Sequence, residues 1–217
     1  YIFTEKRGIH IIDLNKTAIQ LEEACAALKQ IAKSGKKILF VATKKQAKEI
    51  LETRIKPTKM PYITERWSGG MLTNFGTIRK AIRKMNSIDK MEEDGTMKTL
   101  SKRERLQMSR TRAKLDKNYG SIAEMTRVPA AVFVIDVLKE HIAVAEANKL
   151  GIPTFAMVDT NSDPRNIDFV IPSNDDATKS IAKILDHISA AILEGLEERK
   201  NSKDSSYIAK QNKTTTN

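Results

Sequence analysis

Cysteine is almost absent from this chain of 217 residues, and Cys25 alone cannot form an internal disulfide. Aromatic residues make up only 5% of the sequence, and Trp67 is the single tryptophan. No apolar run approaches the roughly 18 residues that a membrane-spanning helix requires, and the first residues do not resemble a secretory signal. These absences argue against a disulfide-stabilised secreted domain. They predict a cytoplasmic protein that has no membrane partner.

The usual nucleotide-binding and metal-binding signatures are missing as well. Neither GxxxxGK followed by Ser or Thr nor GxGxxG occurs anywhere in the chain. The stretch DTNSDP (159–164) begins like a calcium loop, but Pro164 and Val170 stand where such a loop needs glycine and glutamate. The three histidines have no metal-ligand spacing. We therefore expect neither a metal nor a cofactor.

Positive charge is abundant and unevenly distributed. The formal net charge is +11 and the pI is about 9.6. Residues 79–118 carry 13 basic and 6 acidic groups, whereas residues 128–186 carry 5 basic and 9 acidic groups. A protein that is merely soluble has no need of this separation, whereas a protein with one surface for a polyanion does.

Short apolar runs alternate with helical patterns along most of the chain. Their continuous Val, Ile and Phe content is typical of strands in a parallel sheet that is covered on both faces. The candidate strands are IHIID (9–13), KILFVAT (37–43), PYIT (61–64), AAVFVID (130–136), PTFAMVD (153–159) and FVIP (169–172). The pattern predicts a three-layer α/β fold with a parallel sheet.

Two of the intervening helices have clear apolar stripes. The stripe of the first helix is Leu14, Ala18, Leu21, Cys25, Leu28 and Ala32. The stripe of the last helix is Ile181, Ile184, Leu185, Ile188 and Ile192. We expect both stripes to face the core, with Cys25 as an inert packed residue.

One interval is too long for a single crossover helix. Residues 75–127 contain two helical patterns with thin apolar seams, separated by a turn at Gly95, and SKRE (101–104) is a capping box. These features predict an antiparallel coiled-coil hairpin inserted into the domain. The predicted organisation is therefore a body of residues 1–74 and 128–197, a hairpin of residues 75–127, and a disordered polar tail of residues 198–217.

The stretch ERWSGGMLTNF (65–75) precedes this hairpin and allows three interpretations. A glycine pair at the start of a helix can hold a nucleotide phosphate, although the spacing disfavours this. Gly69 and Gly70 can simply turn the chain. The interpretation that we favour is a docking platform for a nucleic-acid backbone, with Arg66 for phosphate, Trp67 for stacking and the glycines for close approach.

The basic residues of the hairpin favour the docking interpretation. A charged helix is usually just solvated, but solubility alone is served better by mixed charges than by this excess of one sign. A basic hairpin fits an RNA groove, with affinity that comes mainly from phosphate neutralisation. The candidate RNA-binding residues of the hairpin are Arg79, Lys80, Arg83, Lys84, Lys102, Arg103, Arg105, Arg110 and Arg112.

An enzyme remains an alternative. Asp136 and Asp159 follow two predicted parallel strands, and Lys44 follows a third. Doubly wound folds bind their ligands at that edge of the sheet. Two carboxylates and a lysine could hold Mg²⁺ or accept a phosphoryl group there, as in a phosphate-handling enzyme or a receiver-like domain.

Several long motifs resemble the ribosomal protein S2 family of bacterial small-subunit proteins. They are ILFVATKKQA, RWSGGMLTNFGTIRKAI, PAAVFVIDVLKEHIAVAEANKLGIPTFAMVDTNSDP and IDFVIPSNDDATKSI. The resemblance implies a flavodoxin-like α/β/α sheet with a protruding coiled-coil hairpin and no catalytic activity. It also implies binding to small-subunit (16S) rRNA and to neighbouring ribosomal proteins, including the large multi-domain mRNA-binding ribosomal protein, rather than to a second copy of the chain. The residues that occupy the family's RWxGGxLTNF segment are Arg66, Trp67, Gly69, Gly70, Asn74 and Phe75.

Overall fold

Seven strands and six α-helices build the protein in the computed structural model, which describes the backbone of residues 1–214 and the side chains of residues 1–202. The strands are β1 (Ile2–Lys6), β2 (Ile9–Ile12), β3 (Ile38–Val41), β4 (Tyr62–Ile63), β5 (Ala131–Ile135), β6 (Thr154–Val158) and β7 (Phe169–Pro172). The helices are α1 (Leu14–Lys33), α2 (Lys45–Ile55), α3 (Phe75–Glu93), α4 (Lys102–Tyr119), α5 (His141–Lys149) and α6 (Thr178–Thr214). None of the helices in this part of the chain is long and apolar enough to cross a membrane.

The central sheet is parallel and has the strand order β4-β3-β5-β6-β7. The chain moves outward from β3 to β4 and then returns to the other side of β3 with β5. This reversal is the flavodoxin-like order, and it places the crevice outside the carboxyl ends of β3 and β5. The predicted fold class is confirmed.

Two apolar clusters cover the two faces of the sheet. Phe40, Phe133 and Phe155 point to the face that is covered by α1, α2 and α6. Leu39 and Val132 point to the other face, which is covered by α5 and the first turns of α3. Burial on both faces explains why these strands are continuously apolar in sequence instead of alternating.

The predicted stripe of α6 is fully buried, from Ile181 to Ile192. The stripe of α1 is partly wrong, because Thr17 and Ala24 are buried while Leu14 is 77% exposed. Cys25 packs partly against the core. Burial and the nearby Glu22 raise the pKa of its thiol to about 11, so the thiol stays protonated and inert.

A second, two-stranded sheet stands apart from the central one. β1 and β2 pair antiparallel as a ribbon, so the predicted strand at residues 9–13 exists but lies outside the parallel sheet. Strand β1 is not among the strands predicted from the sequence. Several large apolar side chains of this ribbon are exposed, among them Ile2, Phe3 and Ile9.

Helices α3 and α4 pack against each other as a helix pair joined by a turn at Gly95. The predicted capping box is confirmed, since Ser101 and Glu104 bond each other's backbone N–H groups. Ile78 and Ile82 at the base belong to a body cluster, whereas Met85 and Ile88 belong to neither body cluster. The base of the helix pair is therefore part of the body core, and coiled-coil geometry of the remainder stays a prediction.

The helix before the predicted disordered tail (residues 198–217) runs on into this segment. Helix α6 continues past Glu197 to Thr214. The Glu198 carboxylate lies 2.8 Å from Lys29 Nζ and 2.9 Å from Lys33 Nζ, which holds this part of α6 against α1. Residues 215–217 of the predicted tail lie outside the described residues.

Replacing Gly195 by alanine is expected to destabilise the contact between α1 and α6. A Cβ at this buried position would lie 2.5 Å from the Lys29 carbonyl oxygen and 3.3 Å from the Ala32 side chain. Because backbone must move to relieve the clash, Gly195→Ala should lower the free energy of unfolding by about 1–3 kcal/mol. Urea unfolding followed by circular dichroism measures this.

Gly76→Ala is the matched control, because a Cβ at Gly76 meets nothing within 4 Å and the residue lies in α3. This control should be neutral or stabilising by up to about 1 kcal/mol. Equal stability of the two variants would show that the helices can separate without cost at Gly195.

Candidate RNA-binding site

The Glu146 carboxylate organises the loop that leads into the helix pair. One oxygen accepts hydrogen bonds from the Trp67 indole N–H (3.1 Å) and the Gly70 backbone N–H (2.7 Å). The other accepts from the backbone N–H groups of Leu72 (2.9 Å) and Thr73 (3.1 Å) and from the Thr73 hydroxyl (3.2 Å). Glu146 lies on α5, so these five bonds fasten the loop to the body.

The carboxylate is held in its charged form by these donors. Glu146 is only 8% exposed, and burial alone would raise its pKa. The hydrogen bonds from Thr73, Leu72, Trp67 and Gly70 outweigh burial and lower the pKa. The glycine loop thus does surround an anion, but the anion belongs to the protein itself.

This arrangement corrects the predicted roles of Trp67 and Gly70. Trp67 is 8% exposed within a core cluster, so its ring is not available to stack on a base. The Gly70 N–H is bonded to Glu146 and cannot also bind a phosphate. Gly70 is required for conformation, because its φ is +81° and a Cβ would lie 3.1 Å from Asn74 Cβ. Both residues therefore brace the loop.

Other predicted residues of the same loop remain accessible. Arg66 and Gly69 are exposed, and Arg66 forms no ion pair within the described part of the chain. Asn74 is exposed at the start of α3, where its side-chain oxygen accepts from the Thr77 hydroxyl at 2.9 Å. These residues stay candidates for RNA contact.

Three contacts fix the direction in which the helix pair leaves the body. Glu65 bridges Lys48 of α2 (3.2 Å) and Lys117 of α4 (3.1 Å), and these bonds lower the pKa of Glu65. The hydroxyls of Ser68 and Tyr119 are 3.1 Å apart. In addition, the Arg79 guanidinium donates to the Met125 carbonyl (3.2 Å). The base of the pair is therefore braced on several sides.

The predicted basic residues of the helix pair fall into two groups. Arg79, Arg105 and Arg112 are half-buried, and Arg112 is neutralised by Asp89 (2.8 Å) and Asp116 (3.3 Å). The remaining six are exposed and form no ion pair within the residues whose side chains are described. These exposed cations are Lys80, Arg83, Lys84, Lys102, Arg103 and Arg110.

The carboxyl edge of the sheet holds a different cluster. Lys44 Nζ lies 3.2 Å from Asp136, 2.6 Å from Asp175 and 2.6 Å from Asp176. Burial disfavours the charged ammonium, but the hydrogen bonds to Asp175 and Asp176 prevail and raise the pKa of Lys44. The alternative site predicted from sequence is thus partly assembled, with Lys44 locked as a cation that joins the ends of three strands. Such a lysine cannot serve as a general base.

Asp159, the third member of that predicted site, joins the cluster from its other side. Oxygen atoms of Asp159, Asp175 and Asp176 all lie within 4.8 Å of one another. The Asp159 carboxylate also accepts from the Thr160 N–H at 2.6 Å and from the Asp175 N–H at 3.4 Å. Asp175 and Asp176 are not among the residues predicted from the sequence for this site.

Glu146 was missed as well, although the sequence contains a signal for it. It lies three residues after Ala143 and next to Ala147, on the apolar face of a short helix. A carboxylate at such a position requires buried donors to offset its desolvation. The pattern predicts that partners exist but does not identify them, since Trp67 is 79 residues away in sequence.

Comparison with known proteins shows the family to which this chain belongs. Residues 1–195 match the family model of ribosomal protein S2. The small ribosomal subunit protein uS2 of Phocaeicola vulgatus is 66% identical over 212 residues, which cover 98% of this chain and 76% of that protein. The uS2 proteins of Bacteroides fragilis (68% over 200 residues) and Flavobacterium johnsoniae (67% over 199 residues) each align with 92% of this chain and with 72% and 78% of their own lengths. The chain therefore belongs to the ribosomal protein S2 family.

Proposed function

We propose that this chain is a structural constituent of the small ribosomal subunit that binds 16S rRNA through the exposed cations of α3 and α4. The observation that carries the proposal is a helix pair, braced at its base, that bears six exposed basic side chains with no ion pair among the side chains that the structure describes. Phosphate groups are the partners that such side chains neutralise best, because each contact releases a condensed counterion from the RNA.

The body serves as a scaffold in this proposal. Glu146 and Glu65 hold the loop and the base of the helix pair in one orientation. The base is therefore already ordered, and no conformational entropy is lost there when the cations bind RNA. The chain is a ribosomal protein and not an enzyme, as its family membership shows. Its place is accordingly the cytoplasmic ribosome.

A protein neighbour fits best on the ribbon of β1 and β2. Its exposed apolar side chains border a cavity of about 510 Å³ that is lined by Leu14 and Leu21 of α1 and by residues of α6. Exposed apolar surface of this kind is typical of a protein interface. We assign the docking of the large mRNA-binding ribosomal protein, which the family resemblance implied, to this side of the body.

The proposal is tested by sedimenting a cell lysate through sucrose gradients at rising salt concentration. We expect the protein to travel with the small subunit at low salt and to be released as salt screens its phosphate contacts. Presence only at the top of the low-salt gradient would contradict the proposal. Retention that does not change with salt would contradict the electrostatic attachment.

A further inference from the structure

The amino-terminal edge of the central sheet carries a basic groove that lies outside the helix pair. Three loops form it, namely residues 34–37 before β3, residues 56–61 before β4 and residues 120–130 before β5. Two adjoining cavities of about 430 and 540 Å³ make up the groove, and they share Lys37, Glu124 and Met125 in their walls. We call this surface the amino-edge groove.

The groove is positively charged and its cations are not neutralised. Its basic residues are Lys36, Lys37, Lys56, Lys59 and Arg127, and all five are exposed. None of them forms an ion pair within the described side chains, and Glu124 is the only carboxylate in the walls. By contrast, the nearby lysines of α1 and the lysine at the opposite edge of the sheet are all paired with carboxylates.

A further cation lies beside the groove. The Arg199 guanidinium from α6 covers Gly35 so closely that it leaves no room for a Cβ there. Gly35 adjoins Lys36 in the first loop. The arrangement concentrates positive charge from three loops and one helix at one edge of the body.

The opposite edge of the sheet has the opposite sign. Asp136, Asp159, Asp175 and Asp176 lie there with Lys44 as the central cation. A polyanion that approaches the body is therefore attracted to the amino edge and repelled from the carboxyl edge. The body has its own preferred side for nucleic acid, independent of the helix pair.

Two features make RNA a better partner here than an acidic protein. The groove is lined by five separate cations, which suits a chain of single phosphates. The half-buried ring of Tyr62 lies in the same wall, where a sugar or base can rest on it. The groove also includes Gly120 to Met125, the segment that directly follows α4, so one RNA strand can continue from the helix pair into it.

We propose that the amino-edge groove is a second binding site for the phosphodiester backbone of the RNA that the helix pair contacts. This inference rests on the proposed function, because it assigns a further contact for the same partner. The helix pair and the groove then hold the RNA from two directions. The expected result is a steeper salt dependence than the helix pair alone produces.

The test is a triple replacement in the groove. Lys36→Gln, Lys56→Gln and Arg127→Gln remove three exposed charges without touching Lys37, whose Nζ donates to the Lys59 carbonyl at 2.7 Å. Binding of the full chain to 16S rRNA transcript is measured by filter binding at several KCl concentrations. We expect the affinity at about 0.1 M salt to fall roughly tenfold or more, and the slope of log K against log salt to become shallower by about 2.

The matched control removes three charges elsewhere. Lys6→Gln, Lys45→Gln and Lys179→Gln alter exposed lysines that lie outside both the groove and the helix pair. This variant should bind within about twofold of the parent chain, since long-range charge is screened at this salt concentration. Hydroxyl-radical footprints should show that the groove variant loses protections different from those lost when the helix-pair charges are removed.

The possible binding results separate the groove proposal from the proposed function. If the groove variant binds like the control while removal of the helix-pair charges weakens binding, the groove proposal is overturned and the proposed function stands. If the parent chain shows no salt-dependent binding to the transcript, both fail. If the groove variant binds bare RNA normally but is lost from assembled subunits, the groove contacts a protein and the RNA assignment is wrong.

Discussion

Glu146→Ala is expected to lower the free energy of unfolding by about 3–5 kcal/mol, because it leaves several buried donors without an acceptor. The donors are the Trp67 indole and the backbone N–H groups of Gly70, Leu72 and Thr73. No other acceptor among the described residues bonds these four donors. The loop must either open to water or keep unpaired polar groups in the core, and both alternatives destabilise the fold.

Urea unfolding followed by circular dichroism and by Trp67 fluorescence measures this loss. Since Trp67 is the only tryptophan, its emission reports on the loop directly. Glu146→Gln should lie between parent and alanine variant, because it keeps one acceptor oxygen but turns an NH₂ group towards other donors. Glu49→Ala, which removes an exposed carboxylate from α2, is the control. A Glu146→Ala variant within about 1 kcal/mol of that control would show that the five bonds contribute little.

Removing four exposed charges from the helix pair is expected to weaken 16S rRNA binding by roughly a hundredfold to a thousandfold at low salt. The replacements are Lys80→Gln, Arg83→Gln, Arg103→Gln and Arg110→Gln, which avoid the half-buried arginines that contact the protein itself. Filter binding over a range of KCl concentrations measures the effect. The slope of log K against log salt should become shallower by about 3–4, one unit for each lost phosphate contact.

The control for this variant removes the same number of charges from other surfaces. Lys6, Lys45, Arg165 and Lys179 are all exposed and lie outside the helix pair. Their replacement by glutamine changes the net charge by the same amount as in the helix-pair variant. If the helix pair has a specific role, this control should therefore weaken RNA binding much less than the helix-pair variant does. Equal losses in the two variants would show that net charge alone drives binding. Unchanged binding in both would contradict the proposed function.

Most of the fold could be predicted because its elements are encoded locally. Continuous apolar runs indicate strands buried on both faces, and Ser101 with Glu104 marks the start of α4. The ribbon could not be predicted with the same rules. Its strand β1 exposes Ile2 and Phe3 and covers no core. The rules for strands rely on apolar residues that are buried, so they do not identify such a strand. The continuation of α6 was not predicted, and its first part pairs through Glu198 with Lys29 and Lys33 of α1, which are distant in sequence.

The site was less predictable because its key interaction is distant in sequence. Trp67, two glycines and flanking arginines are compatible with both an RNA platform and a braced loop. Only the position of Glu146 on α5 distinguishes them, and that position depends on the strand order. The charges of α3 and α4 were easier to assess, since exposure follows from helical periodicity. Ion pairing across the two helices, as between Arg112 and Asp89, was not visible in the pattern.

The braced base of the helix pair also has a consequence for how the sheet closes during folding. β3 must pair with β5, although residues 42–130 separate the two strands. The contact of Glu65 with Lys117 joins the ends of more than half of that segment. Each halving of an open loop lowers its closure cost by about 0.6 kcal/mol, so a helix pair that forms early shortens the search for β5. A helix pair that has formed first therefore lowers the entropic cost of the central strand pairing, whether or not RNA is present.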